Sequence, residues 1–380
     1  MRSRVVILGA GFGGLELAAT LADQLDDEVL LVDKGAGFVF GFSKLDVMFG
    51  RLAADEVVHP YDAVARPGLS FLSAEVLAID PLARRVQTTA GTIEAEVLVV
   101  ALGADLDPAA TPGLVEAGYE FYTVGGAFAL REVLAGFTGG QVLVGVTSTP
   151  FKCPPAPSET VLLMHDYLTD RGVRAVSDIT LVMPFGAPIP PSPDASKAVL
   201  AAFAERGIGW VPERSVLALD PATNVARLSD GSELAFDLFL GVPVHRAPQV
   251  VLDSGMTVNG WIPVDPFTLQ TRFTDVYAVG DVTSVGTPKA GVFAEGQAAV
   301  AAQHIIGRLR GTGSTASYDG RGLCYLELGA GRVAKVDVTF TSGAAPRGAL
   351  QGPSVELAAD KHQFGTSRAA RWFGGSAATG

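Results

Sequence analysis

Cysteine is nearly absent from this 380-residue chain: Cys153 and Cys324 are the only two. Two cysteines are too few for a disulfide framework, and they lack the spacing of a metal site. Histidine is almost as scarce. His59, His165, His245, His304 and His362 are scattered without paired spacing, as surface or satisfied core residues would be. No basic run offsets the net charge of −12, which disfavours sequence-independent nucleic-acid binding, since such binding needs Lys and Arg to neutralise phosphates. No apolar stretch reaches the roughly 18 uninterrupted residues of a spanning helix, so any membrane contact would be peripheral. The first strand-like run, Val5 to Leu8, leaves no room for an export leader, and a cytoplasmic location is expected.

What the chain does have is a 48% hydrophobic content, enough for two domains plus a smaller third segment, and an internal repeat. Val76-Leu77-Ala78-Ile79-Asp80-Pro81 returns 140 residues later as Val216-Leu217-Ala218-Leu219-Asp220-Pro221. At the same offset Gly91 aligns with Gly231, and Val97 to Leu102 with Asp237 to Val242. Each copy reads as strand, Asp-Pro turn, strand, Gly turn, strand, preceded by a βαβ pattern. In the first copy that pattern is Val5 to Leu8, a helix with Leu17, Leu21 and Leu25 at four-residue spacing, and Val29 to Val32. The second begins at Val142; its helix should follow Pro157-Ser158, carry Val161, Met164 and Leu168 on one face, and stop at Gly172.

The copies differ where a phosphate would sit. Copy one runs from its first strand into Gly9-Ala10-Gly11-Phe12-Gly13-Gly14, a G-x-G-x-x-G. Gly9 would make the tight turn, Gly11 admit a pyrophosphate to the backbone, and Gly14 let helix and strand pack closely. Asp33, ending the next strand, is placed to accept from a ribose hydroxyl. Phe12 and Gly13 in the turn, Lys34 beside Asp33, and Val76 at the head of the repeat complete this nucleotide-contacting set. Copy two reads Gly145-Val146-Thr147-Ser148-Thr149-Pro150, and the cradle is gone.

Two further motifs, Val99-Val100-Ala101-Leu102-Gly103-Ala104 and Val276-Tyr277-Ala278-Val279-Gly280-Asp281, resemble those of the flavoprotein disulfide reductases and their relatives. The resemblance implies FAD in the first site, with Ala101, Leu102 and Gly103 passing beside it and Gly280-Asp281 at its ribityl-pyrophosphate region. A helix N-cap is the plainer role for Asp281. Lys289-Ala290-Gly291 then opens a long helix whose N-terminus, aimed at the flavin, would stabilise negative charge on the reduced ring. Lys289 would add to that or simply be solvated.

Within this superfamily the chain resembles, over nearly its whole length, the sulfide:quinone oxidoreductases and the flavoprotein subunit of flavocytochrome c sulfide dehydrogenase. The most specific stretch is Phe151-Lys152-Cys153-Pro154-Pro155-Ala156-Pro157-Ser158-Glu159, and Cys324 falls where that family carries a partner cysteine. The implied fold is α/β: two tandem Rossmann-like dinucleotide-binding domains, glutathione reductase-like, with a small C-terminal segment. Its parts would be residues 1–105 and 243–310 for FAD, 106–242 for the degenerate second domain with Cys153, and 311–380 for the segment with Cys324.

The resemblance also implies a reaction. Sulfide, or another small sulfur compound, would attack a Cys153/Cys324 bridge, and electrons would pass through FAD to a quinone. Cys153 is assigned the flavin side because the helix after it should lower its thiol pKa, while Cys324 would hold the growing sulfur chain. Glu159 would move protons or contact quinone, or be only a carboxylate favoured by the helix dipole. The family's third cysteine and nearby histidine are missing around Tyr122 to Ala127. Glu356 to Phe373 reads as a locally basic helix, a candidate for peripheral contact with the inner face of a membrane, for a homodimer contact, or for a cap. Pro184 to Pro193 borders a substrate channel or is a surface loop. Two other functions fit the same fold: a type II NADH:quinone oxidoreductase, and a non-catalytic flavin-binding redox sensor with inert cysteines.

Overall fold

A computed structural model describes residues 1–25, 29–341 and 343–374, so positions 375–380 of the expected C-terminal segment lie outside the described residues. The first sheet has seven strands in the order Leu69–Ser73, Val29–Asp33, Arg2–Leu8, Gly91–Val100, Arg85–Thr88, Val76–Asp80, with Val276–Ala278 also pairing Gly91–Val100. Its central strands are parallel and carry unbroken apolar runs because both faces are covered. Helices α1 (Phe12–Gln24) and α4 (Gly291–Arg310) lie on one face, where Val5, Ile7, Val97 and Val99 meet Leu15, Ala18, Ala298 and Ile305. Val6, Leu8, Leu98 and Val100 face the other way, onto Ile79, Val86, Val251 and Met256.

The second sheet repeats that arrangement. Ile208–Val211, Ser177–Val182, Gly140–Val146, Leu238–Val242 and Tyr119–Glu120 run parallel in that order, with α3 (Ala156–Asp170) packed on it. The sequence repeat is reproduced down to its irregularities. Val76–Asp80 pairs Arg85–Thr88 with a register shift between Val76 and Ala78, and Val216–Asp220 pairs Val225–Leu228 with the same shift between Val216 and Ala218. Arg84 and Asn224, at equivalent positions, both take left-handed backbone, with φ of 50° and 53°. The chain leaves the first unit and returns to it side by side, Asp105–Asp107 pairing antiparallel with Val244–Arg246.

Two expectations need correction. Helix α3 begins at Ala156, before Pro157-Ser158 and not after them. A proline in the first turn removes only an N–H that has no intrahelical partner, so it starts a helix as readily as it precedes one. The stretch 184–193 does not line the cleft that holds the two cysteines; Ala187, Pro190 and Pro193 border a separate open pocket, Ile189 is buried, and the Ser192 side chain accepts from the Ala195 N–H to open the helix Pro193–Arg206.

The third unit is an antiparallel sheet of Arg321–Glu327, Val333–Thr339 and Arg347–Ser354, followed by α5 (Glu356–Phe373). The apolar residues that made α5 a candidate membrane anchor face the protein: Leu357, Trp372 and Phe373 are buried and Phe364 half-buried. No described helix is long and apolar enough to cross a membrane.

Phe239 is fully buried beneath the second sheet and fills the space that Gly145 and Gly118 leave open. Phe239→Ala should therefore lower the unfolding free energy by about 3–5 kcal/mol through a cavity that backbone cannot refill. A fall in the urea midpoint at unchanged slope would show it.

Candidate functional site

The first unit closes its leading strand with the turn the glycines anticipate. Gly9 has φ +100°, and a Cβ there would lie 2.4 Å from the Ala101 carbonyl oxygen. A Cβ on Gly14 would lie 1.8 Å from the Gly9 carbonyl oxygen, so α1 can approach its strand only with glycine at that position. Above Gly11 nothing lies within 4 Å, which leaves room for an incoming group. Asp33 has a role the motif does not specify: its carboxylate accepts from the N–H groups of Ala10 and Gly35, both at 2.7 Å, bracing the turn. Each oxygen keeps a second acceptor direction for a ribose hydroxyl.

The turn opens into a cleft of about 320 Å³ that holds most of the sequence-named residues: Gly11, Phe12, Gly13, Ala101, Gly103, Gly280, Asp281, Lys289, Ala290, Gly291, Cys153, Glu159 and Cys324. Gly9, Gly14 and Asp33 stand behind its wall. Three named residues do not reach it. Leu102 packs into the core, Lys34 pairs with Glu75 at 2.8 Å on the surface, and Val76 begins the meander.

Four helices begin at this cleft, α1 after Gly11, α2 (Gly41–Met48) after Phe40, α3 after Pro155 and α4 after Ala290, and none has a side-chain cap. Their first N–H groups lack intrahelical partners and carry partial positive charge. Lys44, Lys152, Lys289 and Lys361 line the same walls. Burial, together with Lys152, brings Lys44 down to about 8, and burial brings Lys289 to about 8 against the pull of Asp281. Burial raises Asp281 while Lys152 and Lys289 hold it down. An acidic protein has thus gathered its positive potential in one cavity, which suits an elongated anion with a pyrophosphate at the α1 end. Lys289 is neither solvated nor free: its ammonium donates to the Asp281 and Thr283 carbonyls and sits 3.2 Å from the Trp261 ring centroid.

The second unit contributes the cysteine. Three residues lie between Leu8 and Phe12, whereas nine lie between the strand end at Val146 and the helix start at Ala156. The added backbone carries Cys153 across to the first unit, where its N–H donates to the Lys289 carbonyl at 2.7 Å. Cys153 holds φ at 47°, a left-handed conformation that costs a side-chain-bearing residue about 1–3 kcal/mol and clusters at functional sites. Cys324 arrives independently, from the strand Arg321–Glu327 of the third unit. Both thiols are free. Cys153 presents its surface to the cleft, not to bulk solvent, and that enclosure governs its chemistry. Burial, with Glu159 and Cys324 adding to it, pushes the Cys153 thiol well above its ordinary range, and Lys44 opposes them. The expectation of a lowered pKa is thereby overturned: burial outweighs the field of α3. Burial and Glu159 push Cys324 up to about 12.

Glu159 is buried at the cleft wall, and its carboxylate accepts from the Glu327 N–H at 2.9 Å. Burial raises it to about 7, though Lys361 opposes the shift. Against burial, Lys361 and Arg51 hold Glu327 at about 2, with Arg51 forked onto it at 2.6 and 3.1 Å. Arg51 also reaches Asp46 at 2.7 Å, so charged groups run from Glu159 to a partly exposed guanidinium. From sequence, Lys44 and Tyr122 are not placed in the site, and Lys361 and Phe364 stand only as parts of the basic C-terminal helix. Lys44 donates to the Tyr122 carbonyl, and the Tyr122 hydroxyl to the Cys153 carbonyl at 3.5 Å. A lysine between the apolar Phe42 and Leu45 was a faint signal for Lys44; the others carried none.

The sequence pattern of the family described as pyridine nucleotide-disulphide oxidoreductase matches residues 3–145 and 166–304, and the interruption spans the Cys153 loop. The mitochondrial sulfide:quinone oxidoreductase of Mus musculus is 23% identical over 356 residues, covering 89% of this chain and 78% of that protein. An NADH dehydrogenase-like protein of Mycobacterium tuberculosis is 27% identical over 302 residues, covering 74% of this chain and 73% of its own. In fold, the sulfide:quinone oxidoreductase structure from Aquifex aeolicus superposes with a TM-score of 0.86 at 20% identity, covering 98% of this chain and 93% of that one.

Glu159 makes stability depend on pH. Its folded pKa lies above the ordinary value of 4.5, so its contribution is fully present below about 4.5 and is lost as pH rises through about 7. Glu159→Gln keeps the acceptor for the Glu327 N–H and removes that loss. Relative to the parent, the variant should gain up to about 3 kcal/mol between pH 5 and pH 8, read from urea unfolding at both values.

Proposed function

Because the chain belongs to the pyridine nucleotide-disulphide oxidoreductase family, we propose that it is an FAD-dependent oxidoreductase of the sulfide:quinone type, taking electrons from sulfide or a small persulfide and passing them to a quinone. The observation that carries this reading is the meeting of Cys153 and Cys324, from separate units, in the cleft where four helices begin. The Gly11–Gly13 turn would hold the FAD pyrophosphate, and the start of α4 would face the ring. Bound there, FAD supplies a two-electron acceptor between sulfur and quinone.

The chain's own residues account for the sulfur chemistry. In the oxidised form, with a bond between Cys153 and Cys324, hydrosulfide attacks the Cys324 sulfur. The S–S bond breaks, Cys324 keeps the incoming sulfur as a persulfide, and Cys153 departs as a thiolate holding the bond's electron pair. A thiolate is costly in so enclosed a place, and Lys44, fixed through Tyr122, is the cation that offsets the cost. Glu159, titrating near neutrality, takes the persulfide proton toward Arg51 and the surface. Phe42, Leu323, Tyr325 and Phe364 frame an apolar wall fit for a quinone ring.

Against a nicotinamide donor stand the Thr147-Ser148-Thr149-Pro150 turn in place of glycines and the Phe151 ring stacked on Phe185 at 5.7 Å just beyond it. Mixed anaerobically with the purified protein, sulfide should bleach the flavin absorbance and NADH should not. Bleaching by NADH alone would move the protein to the NADH:quinone class. Cys153→Ser and Cys324→Ser should each slow bleaching by about a hundredfold or more. If both variants bleach at the parental rate, the cysteines are inert and the sensor reading stands.

A further inference from the structure

The last helix spans the cleft from end to end. Lys361 and Phe364 of α5 line it on the cysteine side, and three turns later Trp372 is fully buried against the phosphate turn. There the contact falls on Phe12, the residue between Gly11 and Gly13. Phe38, Phe40 and Trp372 meet its ring edge-on at 5.3, 5.7 and 5.4 Å. A Cβ on Gly291 would come within 2.5 Å of the same ring. Phe12 is therefore wedged between the end of α5 and the start of α4.

The wedge is bolted by one carboxylate. Glu16, on α1 and only 8% exposed, accepts from Arg371 Nε and Nη2 at 2.9 Å each and from Trp372 Nε1 at 2.9 Å. Arg66 donates to the Arg371 carbonyl at 2.9 Å, and His59 stacks on Phe373 at 5.2 Å. Without these partners Glu16 would be a buried, uncompensated charge on the very helix that opens at Gly11. A turn of glycines has many alternatives to its binding conformation, so whatever orders it beforehand strengthens binding.

We propose that Arg371 and Trp372 are positioning residues for the cofactor: the end of α5 holds Phe12, and with it the Gly11–Gly13 turn, in the form that receives a dinucleotide pyrophosphate. Docking of the tail and binding of FAD are then linked, each strengthening the other by the same factor. This rests on the reading of the cleft as an FAD site.

Full-length protein stripped of flavin is titrated with FAD by flavin fluorescence, alongside Arg371→Ala, Trp372→Ala and Arg371→Lys. The alanine variants should bind FAD about tenfold more weakly or worse, and Arg371→Lys should fall between, since it keeps the charge and loses the fork. FAD should also slow amide exchange across residues 366–373 of the parent. If Trp372→Ala does not fold, Glu16→Gln tests the same bolt and should weaken FAD binding in the same direction. Unchanged FAD affinity in the variants, even with a lower melting temperature of the flavin-free protein, would overturn the linkage and leave the tail as packing. A parent chain that takes up no FAD at all would overturn the reading of the cleft, and the linkage with it.

Discussion

Backbone N–H groups left without partners at the starts of α1, α3 and α4, all turned into one cleft, are the constraint on which the rest of the molecule depends. Each helix must begin there because its sheet ends there. Parallel strands deliver their C-terminal edges, and the helices that follow them, to one side of the fold. Among the residues lining the cleft, the acids facing that charge are Asp281 and Glu159, while lysines reinforce it. The cleft is therefore built for an anion, and burial in it moves Lys44, Lys289, Glu159 and both thiols away from their ordinary values.

The two units have diverged around that shared geometry. They retain the same strand order, the same register shift and the same left-handed residue in their meanders, features set by local sterics that a duplicated sequence preserves. What changed is the passage from first strand to helix. In the first unit it is a three-residue turn opened by Gly9. In the second it is extended and proline-rich, and it crosses to the Lys289 carbonyl with Cys153 at its apex. At that apex the Cys153 backbone is left-handed, and burial, with Glu159 and Cys324, raises its thiol.

The third unit ties these parts together. Its sheet supplies Cys324 and Glu327, and its helix runs from the Lys361–Glu327 pair to the Arg371–Glu16 pair. One element thus touches both the cysteine end of the cleft and the glycine turn. Apolar side chains that looked like a membrane face in one dimension are the packing that makes this possible.

From its own letters the chain determined the α/β class, the duplication, the glycine turn and the two cysteines, because periodicity, turn chemistry and close backbone approach act between residues near in sequence. The roles of Gly9 and Gly14 were legible for that reason. The positions of Lys44, Tyr122, Lys361 and Trp372 were not, since each matters only through a neighbour far along the chain. Tertiary structure alone decided that Asp33 braces its own turn, that Lys289 is held by carbonyls and an indole, and that the Cys153 thiol is raised and not lowered. A helix terminus can be read from sequence; the burial that outweighs its field cannot, because burial is a property of everything packed around the site.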